Sequence, residues 1–458
     1  MRTVLTGRSL WLDQLSPQPQ RPALNGSLEA DVVVVGGGFT GLWTAYYLKQ
    51  LDPSLSVVVV ERHHVGFGAS GRNGGWVVAE FACGLDKYAA MSSHDEAFRL
   101  VRELHASVDE IGRVVRAEGI ECGFHKGGTI RFARNAAQLE RQRQEVAHEH
   151  AAGFTNDDFR LLSPDQTRSI AAADGVLGGL FFAHTAAVDP GRLVTGLAAA
   201  CEDAGVTIVE RTTVESVGDH VVHTDRGDLR ARHVVQGTEA YTRDLDGERR
   251  RLLPVYSRMI ATEPLTAEQW AEIGLDDRPT FADDRYMVIY GQRTEDGRLA
   301  FGGRGIPYLW GSGIDPESEV RADSHARVDA ALFELFPQLR GIGITHRWGG
   351  VLAIPRDWTP FVHHDPDRGF LAAGGYVGEG VATANLAGRT MAELITDADT
   401  QRVGLPWIKA LPRRWEPEPL RWIGVRSSYR LMAAADRIEE RGKTSRLGIT
   451  LANLLRGS

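Results

Sequence analysis

The sequence predicts an α/β fold that combines a discontinuous, Rossmann-type domain with a second, α+β domain centred on a mixed β-sheet. Three observations support this prediction. The apolar run Val32–Val35 leads directly into closely spaced glycines, the pattern of a buried parallel strand followed by a tight turn. A second valine run, Val57–Val60, follows a helical segment and ends at Glu61. Strand-and-helix sequence of the same kind returns twice later in the 458-residue chain, after two long insertions.

The glycines after the first strand form the motif Gly36-x-Gly38-x-x-Gly41. Gly36 permits a tight turn, Gly38 lets the backbone approach a pyrophosphate, and Gly41 lets helix and strand pack closely. The phosphates are expected at the helix N-terminus, where free N–H groups and the helix dipole favour anions. Glu61 stands twenty residues after Gly41, where a carboxylate accepts hydrogen bonds from ribose hydroxyls. The unit predicts a dinucleotide site formed by Gly36, Gly38, Phe39, Thr40, Gly41, Glu61 and Arg62.

Hydrophobic patterning suggests how the rest of the chain is organised. Residues 91–160 turn helical, and Val255–Thr262 and Tyr286–Tyr290 are the clearest strands of the second insertion. The basic, amphipathic C-terminal tail is expected to dock on the protein's own surface rather than on a membrane. The predicted organisation is an N-terminal arm (1–27), a nucleotide-binding domain (28–90, 163–245 and 340–400), a second domain (91–162 and 246–339) and a C-terminal helical extension (401–458).

Composition excludes several classes of protein. The formal charge of -8 argues against general affinity for nucleic acid. No apolar run approaches the ~20 residues of a membrane span, and the N-terminus lacks a sustained apolar core, so we expect a cytoplasmic protein. Cys83, Cys122 and Cys201 have no metal or redox spacing, and we expect no metal site.

Two further glycine-rich elements indicate which dinucleotide is bound. "VGFGASGRNGGW", from Val65 to Trp76, closely follows the ribose acid and implies a ligand that extends beyond its adenosine half. "GGYVGEGVATANLAG", from Gly374, places glycines before a helix whose N-terminus could stabilise the negative charge of a reduced flavin. Three such elements across the chain favour FAD over NAD.

These motifs, together with "DPGRLVTGL" at Asp189 and "PVYSRMIATEPL" at Pro254, resemble the D-amino-acid oxidase superfamily of flavoproteins, and within it the γ-glutamylputrescine oxidase-like branch. The resemblance covers roughly residues 28–400. It implies a Rossmann-type FAD-binding domain and an α+β substrate domain whose mixed sheet lies over the flavin. It also implies oxidation of a C–N bond by hydride transfer to flavin N5, hydrolysis of the imine, and reoxidation by O₂ to give H₂O₂.

The resemblance assigns further residues to the cofactor site. The loop beside the flavin is matched by Gly68, Ala69, Ser70, Arg72, Asn73, Gly74 and Gly75. Val214 matches the position whose backbone meets the adenine, and Gly237 lies on a turn near the phosphates. The turn under the flavin pyrimidine is matched by Gly375, Tyr376, Gly378, Gly380 and Val381.

Two departures from the family pattern matter. Sarcosine-oxidase-like relatives carry a lysine that grips the substrate carboxylate where this chain has Ala382, which disfavours simple N-methyl amino acids. The cysteines lie outside the C-terminal region used for covalent attachment, and no histidine stands in the loop before Gly74. We therefore expect FAD to be bound non-covalently.

Five residues are candidates for binding the substrate or for taking part in its reaction. Arg72 could position an anionic group or form a structural salt bridge. Glu379 could hold an ammonium group or bond to nearby backbone. Tyr290 and Arg304 could line the pocket or pack within the sheet, and Trp348 occupies a stretch that borders the active site in relatives.

The expected substrate is a primary or secondary amine, either a polyamine derivative or an ω-amino compound. Only one GxGxxG motif is present, so electrons must leave to O₂ or to another diffusible acceptor. Alternatives that stay open are a dehydrogenase using a quinone or an electron-transfer protein, an NAD(P)H-dependent flavin monooxygenase, a flavoprotein acting on nucleic acid, and a non-catalytic FAD-binding module. A carboxylate or phosphonate at the far end of the substrate, held by Arg72, Arg258 or Arg304, is also open. The sequence does not indicate an oligomeric state.

Overall fold

A computed structural model describes residues 9–18, 20–304, 308–445 and 450, with the side chain of Arg304 left out. The helices are α1 (Leu10–Asp13), α2 (Phe39–Leu51), α3 (Gly84–Met91), α4 (His94–Ala117), α5 (Ala136–Ala151), α6 (Pro164–Ile170), α7 (Pro190–Asp203), α8 (Ala267–Ile273), α9 (Ala322–Leu335), α10 (Gly380–Ile395) and α11 (Leu420–Glu440). The strands are β1 (Leu28–Val35), β2 (Val57–Val60), β3 (Trp76–Val78), β4 (Thr129–Ala133), β5 (Phe159–Leu162), β6 (Gly178–Phe182), β7 (Thr185–Ala187), β8 (Thr207–Val209), β9 (Val214–Gly218), β10 (Val221–Thr224), β11 (Gly227–Gln236), β12 (Leu253–Thr262), β13 (Thr280–Asp283), β14 (Ile289–Arg293), β15 (Leu299–Arg304), β16 (Ile344–Ile354), β17 (Phe361–Asp365) and β18 (Phe370–Gly374).

The first sheet has the order β17-β18-β11-β1-β2-β8, and the hairpin β9-β10 extends from β11. Strand β1 runs parallel to β2 and β11, and its last residue, Val35, lies opposite Val60 and Gln236. The turns that begin at Gly36, Glu61 and Gly237 therefore leave the sheet along one edge. Ligands of open parallel sheets bind at this carboxyl edge, at the point where the strand order reverses.

The valine runs are apolar throughout because both faces of this sheet are covered. Val32 and Val34 pack on one side in a core that includes α2, α7 and α10, whereas Val33 and Val35 pack on the other side. All four are buried. A continuous apolar strand is the expected result when helices or other layers cover both faces.

The second sheet has the order β16-β12-β15-β14-β13-β4-β6-β5. Most neighbours are antiparallel, and β4 runs parallel to β13, so the sheet is mixed. Its own core contains Phe132, Phe281 and Phe301 together with Leu332 of α9. The predicted fold class, a Rossmann-type domain with a second domain on a mixed sheet, is confirmed.

Three elements differ from the predicted segments. Strands β6 and β16 lie in ranges assigned to the nucleotide-binding domain, yet both pair within the second sheet. Helix α4 lies in a range assigned to the second domain, yet Leu104 and Val108 pack in the same core as Trp43 of α2 and Leu386 of α10. Each of these elements has at least one partner remote in sequence, namely β4 for β6, β12 for β16, and α2 and α10 for α4, and hydrophobic periodicity cannot identify such partners. The other predicted boundaries stay a prediction.

The C-terminal helix docks on the second sheet and shortens one predicted strand. Asp436 of α11 accepts hydrogen bonds from the backbone N–H groups of Tyr286 (2.7 Å) and Met287 (2.9 Å). These donors are therefore not available to a strand partner, and β14 begins at Ile289 instead of at Tyr286. Across the described ranges, no helix is long and apolar enough to cross a membrane.

The N-terminal arm is anchored through the segment that contains α1. The Ser9 hydroxyl donates to the Gly71 carbonyl (2.6 Å), and the Trp11 indole N–H donates to the Asn73 carbonyl (2.8 Å). Leu10 and Trp11 are buried. The arm therefore supports the loop that the sequence places beside the flavin.

Candidate functional site

A cleft runs along the carboxyl edge of the first sheet and continues beneath the second sheet. One end is lined by Glu61 and Val214, and the other by Tyr290, Leu352 and Glu379. The predicted cofactor residues that line it are Gly36, Gly38, Phe39, Thr40, Glu61, Arg62, Gly68, Ala69, Ser70, Arg72, Asn73, Gly74, Val214, Gly237, Tyr376, Gly378, Gly380 and Val381.

Three predicted cofactor glycines, Gly41, Gly75 and Gly375, lie behind the wall of the cleft instead. A Cβ on Gly41 would stand 2.1 Å from the Gly36 carbonyl oxygen, so this glycine serves the close contact of helix and strand. A Cβ on Gly75 would stand 2.0 Å from Gln292, and one on Gly375 would stand 2.9 Å from Pro355. Their lack of a side chain allows packing and does not show a contact with the ligand.

The centre of the cleft is the N-terminus of α2, where Gly38 caps the helix without a side-chain hydrogen bond. A Cβ on Gly38 would stand 2.8 Å from the Ser70 hydroxyl oxygen. That oxygen accepts a hydrogen bond from the Phe39 N–H (2.9 Å) and joins the helix to the second glycine loop. The dipole of this 13-residue helix makes its N-terminus a favourable place for a pyrophosphate.

The adenosine end is organised by Glu61, whose two carboxylate oxygens accept from the N–H groups of Gly37 (2.9 Å) and His63 (2.8 Å). Burial raises the pKa of Glu61, while these two hydrogen bonds oppose the shift. Arg62 donates to Asp244 across the cleft at 2.9 Å. The carboxylate thus stands where the sequence motif predicts a ribose acceptor.

Arg72 lines the cleft and also forms a buried ion pair. Its guanidinium donates to Glu319 at 2.7 Å, with the two side chains 3% and 4% exposed. The guanidinium also lies 4.5 Å from the ring centroid of Phe67. Burial raises the pKa of Glu319, and the positive charge of Arg72 opposes that shift. The salt bridge that the sequence left open as an alternative is therefore present.

Trp348 supports this loop and does not line the cleft. Its indole N–H donates to the Arg72 carbonyl at 2.9 Å, and its ring packs edge-on against Trp11. Arg258 is also away from the cleft. It is fully buried, donates to the Ser318 hydroxyl (2.6 Å) and has a pKa lowered by burial. The side chain of Arg304, the remaining candidate, lies outside the described residues.

Tyr290 reaches the cleft from the second sheet. Its hydroxyl shares a 2.7 Å hydrogen bond with the Ser257 hydroxyl, and its ring packs edge-on against Trp76. A Cβ on Gly74 would stand 2.5 Å from this ring. Gly74 must therefore lack a side chain, because the Tyr290 ring packs against it at the wall of the cleft.

The glycine turn between β18 and α10 closes the far end. The hydroxyl groups of Tyr376 and Thr40 share a 2.9 Å hydrogen bond, which connects this turn to α2. Glu379 lines the cleft at the N-cap of α10, without a side-chain capping bond. Ala382 is fully buried in the adjoining core, so its side chain is not part of the lining.

Several lining residues were not identified from the sequence, and Glu239 has the most unusual environment. It follows Gly237 by two residues, has a positive φ of 44°, and accepts a hydrogen bond from the Tyr376 N–H (3.1 Å). Burial raises its pKa to about 7. Its position in a turn after a parallel strand is the signal that could have identified it. The other additional lining residues include Phe67, Trp76, Thr212, Thr238, Tyr241, Ser257, Val288 and Leu352.

The structure also brings together His105, Asp158 and His184, although the sequence analysis expected no metal site. His184 contacts Asp158 at 2.7 Å, and the two imidazole rings stack with centroids 3.9 Å apart and planes at 16°. Imidazole nitrogens direct their lone pairs in the plane of the ring. Two nearly parallel rings at this separation do not converge on one ion in this arrangement.

Comparison with known proteins agrees with the geometry. The DAO family, described as FAD dependent oxidoreductase, matches residues 31–394. The chain is 31% identical over 402 residues to a protein of Haemophilus influenzae named probable oxidoreductase OrdL, which covers 86% of this chain and 89% of that protein. It is 31% identical over 378 residues to gamma-glutamylputrescine oxidoreductase of Escherichia coli, which covers 81% and 85%.

Among solved structures, glycine oxidase from Geobacillus kaustophilus has the same fold, with a TM-score of 0.70 at 20% identity over 85% of this chain and all of that one. Glycine oxidase from Bacillus cereus gives a TM-score of 0.67 at 21% identity and covers 84% and 99%.

The residues present fit FAD. Side-chain-free backbone at Gly36 and Gly38 adjoins the N-terminus of α2, Glu61 offers ribose acceptors, and the cleft continues past Ser70 to Gly74. With the family match over most of the chain, the conclusion is that this protein belongs to the DAO family and is an FAD-dependent oxidoreductase.

Proposed function

We propose that this enzyme oxidises the C–N bond of a primary or secondary amine, namely a polyamine derivative or another ω-amino compound. When bound, FAD supplies the two-electron oxidation, taking a hydride from the carbon next to nitrogen and passing both electrons to O₂, which forms H₂O₂. The imine left behind reacts with water to give an aldehyde or ketone and a smaller amine or ammonia.

The observation that carries this proposal is the continuity of the cleft. Its nucleotide end lies on the first sheet, and its other end is lined by second-sheet residues, including Ser257 of β12 and Tyr290 of β14. Glu379 lies in the same wall. A substrate bound against the second sheet would therefore share one enclosed space with the far end of the cofactor.

Charge in the lining favours a cationic substrate. The two arginines of the lining, Arg62 and Arg72, are already paired with Asp244 and Glu319. Within the described part of the chain, which leaves out the Arg304 side chain, the lining contains no lysine. A substrate carboxylate would compete with these pairs, whereas an ammonium group would be attracted by the carboxylates of the lining, which include Glu379. The 31% identity to gamma-glutamylputrescine oxidoreductase supports the same substrate class.

We also propose that FAD is held without a covalent bond. Cys83, Cys122 and Cys201 are all buried, and none belongs to the lining of the cleft. Burial raises the pKa of the Cys83 and Cys122 thiols to about 12, so the reactive thiolate form is scarce. Acid precipitation of the purified protein should release the yellow colour into the supernatant, and colour in the pellet would contradict this assignment.

The substrate is tested with a peroxide-coupled screen of polyamines, γ-glutamylated amines, N-methyl amino acids, D-amino acids and aminophosphonates. We expect the first two groups to turn over fastest. Faster turnover of sarcosine or a D-amino acid would contradict the charge argument. If Glu379→Gln left the Michaelis constant of a cationic substrate unchanged, its proposed contact would be wrong.

The electron acceptor is tested separately. The flavin is photoreduced without oxygen, and air is then admitted. Reoxidation within seconds supports an oxidase, and reoxidation over many minutes supports a dehydrogenase that uses a quinone or an electron-transfer protein. Rapid bleaching by NADPH would indicate a monooxygenase, and no reduction by any amine would indicate a non-catalytic FAD-binding module.

A further inference from the structure

We propose that Glu239 carries a proton while FAD is bound, so that the affinity of the enzyme for FAD depends on pH near neutrality. The inference rests on the FAD site and not on the identity of the amine, so it can fail or succeed independently of the proposed reaction.

Glu239 occupies a strained turn between two glycine-rich elements. Its φ of 44° is in the left-handed region, which a non-glycine residue adopts only at an energetic cost. On one side, the turn residue Gly237 packs against Gly36 and the N–H of Gly41. On the other side, the Glu239 carboxylate accepts from the Tyr376 N–H at 3.1 Å. The side chain is therefore fixed where β11 and β18 both end.

The carboxyl group of Glu239 is held by backbone donors. Besides Tyr376, the backbone N–H groups of Gly375 and Ala353 stabilise its ionised form. In the described ranges it forms no salt bridge, and the phenol of Tyr376 is the titratable group coupled to it electrostatically. Burial outweighs the three backbone donors and raises the pKa of Glu239 to about 7.

Bound FAD adds the negative charge of its pyrophosphate to the surroundings of Glu239. The pyrophosphate site at Gly38–Thr40 is connected to Glu239 through Tyr376, whose hydroxyl bonds to Thr40 while its N–H bonds to Glu239. Anionic phosphates disfavour a second anion nearby and raise the proton affinity of the carboxyl group further. The bound state therefore holds the proton to a higher pH than the free state.

The thermodynamic linkage between proton binding and FAD binding gives the direction in which FAD affinity changes with pH. If the pKa of Glu239 is higher with FAD than without it, FAD affinity is greatest below the free-state pKa and falls as pH rises above it. For an increase in pKa of 0.5 to 1 unit on binding, the dissociation constant at pH 8.5 should be roughly 3- to 6-fold larger than at pH 6.5.

The experiment follows the FAD released when holoenzyme is diluted to equilibrium at each pH from 6 to 9, using the fluorescence of free FAD. Wild type should show the 3- to 6-fold rise, and Glu239→Gln, which keeps the shape but cannot ionise, should show a flat profile. Asp244→Asn removes another carboxylate of the lining and should retain the wild-type slope. His63→Gln tests the imidazole at the adenosine end and should also retain it.

A spectroscopic measurement separates protonation from a purely structural role. The infrared difference spectrum between wild-type and Glu239→Gln holoenzymes at pH 7 should contain the C=O band of a protonated carboxyl group, which should fade at higher pH. Parallel pH profiles in wild type and Glu239→Gln would refute the proposal. If Glu239→Gln does not retain FAD, a flat wild-type profile refutes the proposal by itself.

Discussion

The buried pair between Arg72 and Glu319 gives the sharpest prediction for stability. Glu319→Gln keeps the size of the side chain but removes the charge that faces the guanidinium at 2.7 Å. Arg72 and Arg258 then remain buried without this carboxylate, whose charge acts on both. Loss of one partner from a buried pair costs about 3–5 kcal/mol, because the remaining charge stays desolvated. This is a large share of the ~5–15 kcal/mol that usually separates folded from unfolded protein.

The assay is urea unfolding of the wild-type and variant holoenzymes at equal, saturating FAD, since FAD binding itself stabilises the folded state. The matched control is Glu416→Gln, which removes a carboxylate from Arg356 at 2.9 Å on the surface, where the two side chains are 43% and 46% exposed. An exposed pair contributes about 0–1 kcal/mol. An equal loss of unfolding free energy in Glu319→Gln and Glu416→Gln would show that burial does not determine the cost of losing an ion-pair partner.

A third variant distinguishes the loss of a partner from the loss of the pair. The double substitution Arg72→Met with Glu319→Met removes both charges, and replacement of a buried pair by apolar groups is often close to neutral. We expect the double variant to unfold at a higher urea concentration than Glu319→Gln, although Arg72 lines the cleft and activity should suffer. A double variant less stable than the single one would contradict the explanation.

The nucleotide half of the site could be predicted because it depends on local physics. A strand covered on both faces must be apolar, so the valine runs predict buried strands. A backbone that contacts phosphate must lack a side chain, so Gly38 predicts the position of the pyrophosphate. Gly41 has the role that the motif predicts, the close packing of helix and strand, whereas the missing side chain of Gly75 is explained equally well by close packing against Gln292 as by contact with a ligand. Sequence shows that space is needed there, and only the fold shows what fills it.

The substrate half of the site was harder to predict from the sequence, because its lining depends on which face of each strand meets the cleft. Ser257 lines the cleft, so its neighbour Arg258 on the same strand points to the opposite face, where it is buried. Glu239 was missed for a related reason: its environment exists only where the ends of β11 and β18 meet. No motif in either segment alone requires a carboxylate.

Three further predictions concern the loops that line the cleft. Glu61→Gln should weaken FAD binding by roughly 10- to 100-fold, the value of one or two charge-assisted hydrogen bonds, as measured by the release of FAD on dilution. Trp11→Phe removes the hydrogen bond to the Asn73 carbonyl and should lower the free energy of unfolding by about 1 kcal/mol, with Trp310→Phe, which is largely exposed, as the control. Gly74→Ala places a methyl group 2.5 Å from the Tyr290 ring, so the ring or the loop must shift in the wall that faces both cofactor and substrate. We expect slower reduction of the flavin by amine and faster loss of FAD, whereas Gly404→Ala, where a Cβ meets nothing within 4 Å, should leave both unchanged. Because relief of the clash should restore the wall, Gly74→Ala combined with Tyr290→Ala should retain FAD better than Gly74→Ala alone. Equal loss of FAD in those two variants would show that the contact with Tyr290 is not the reason for the glycine.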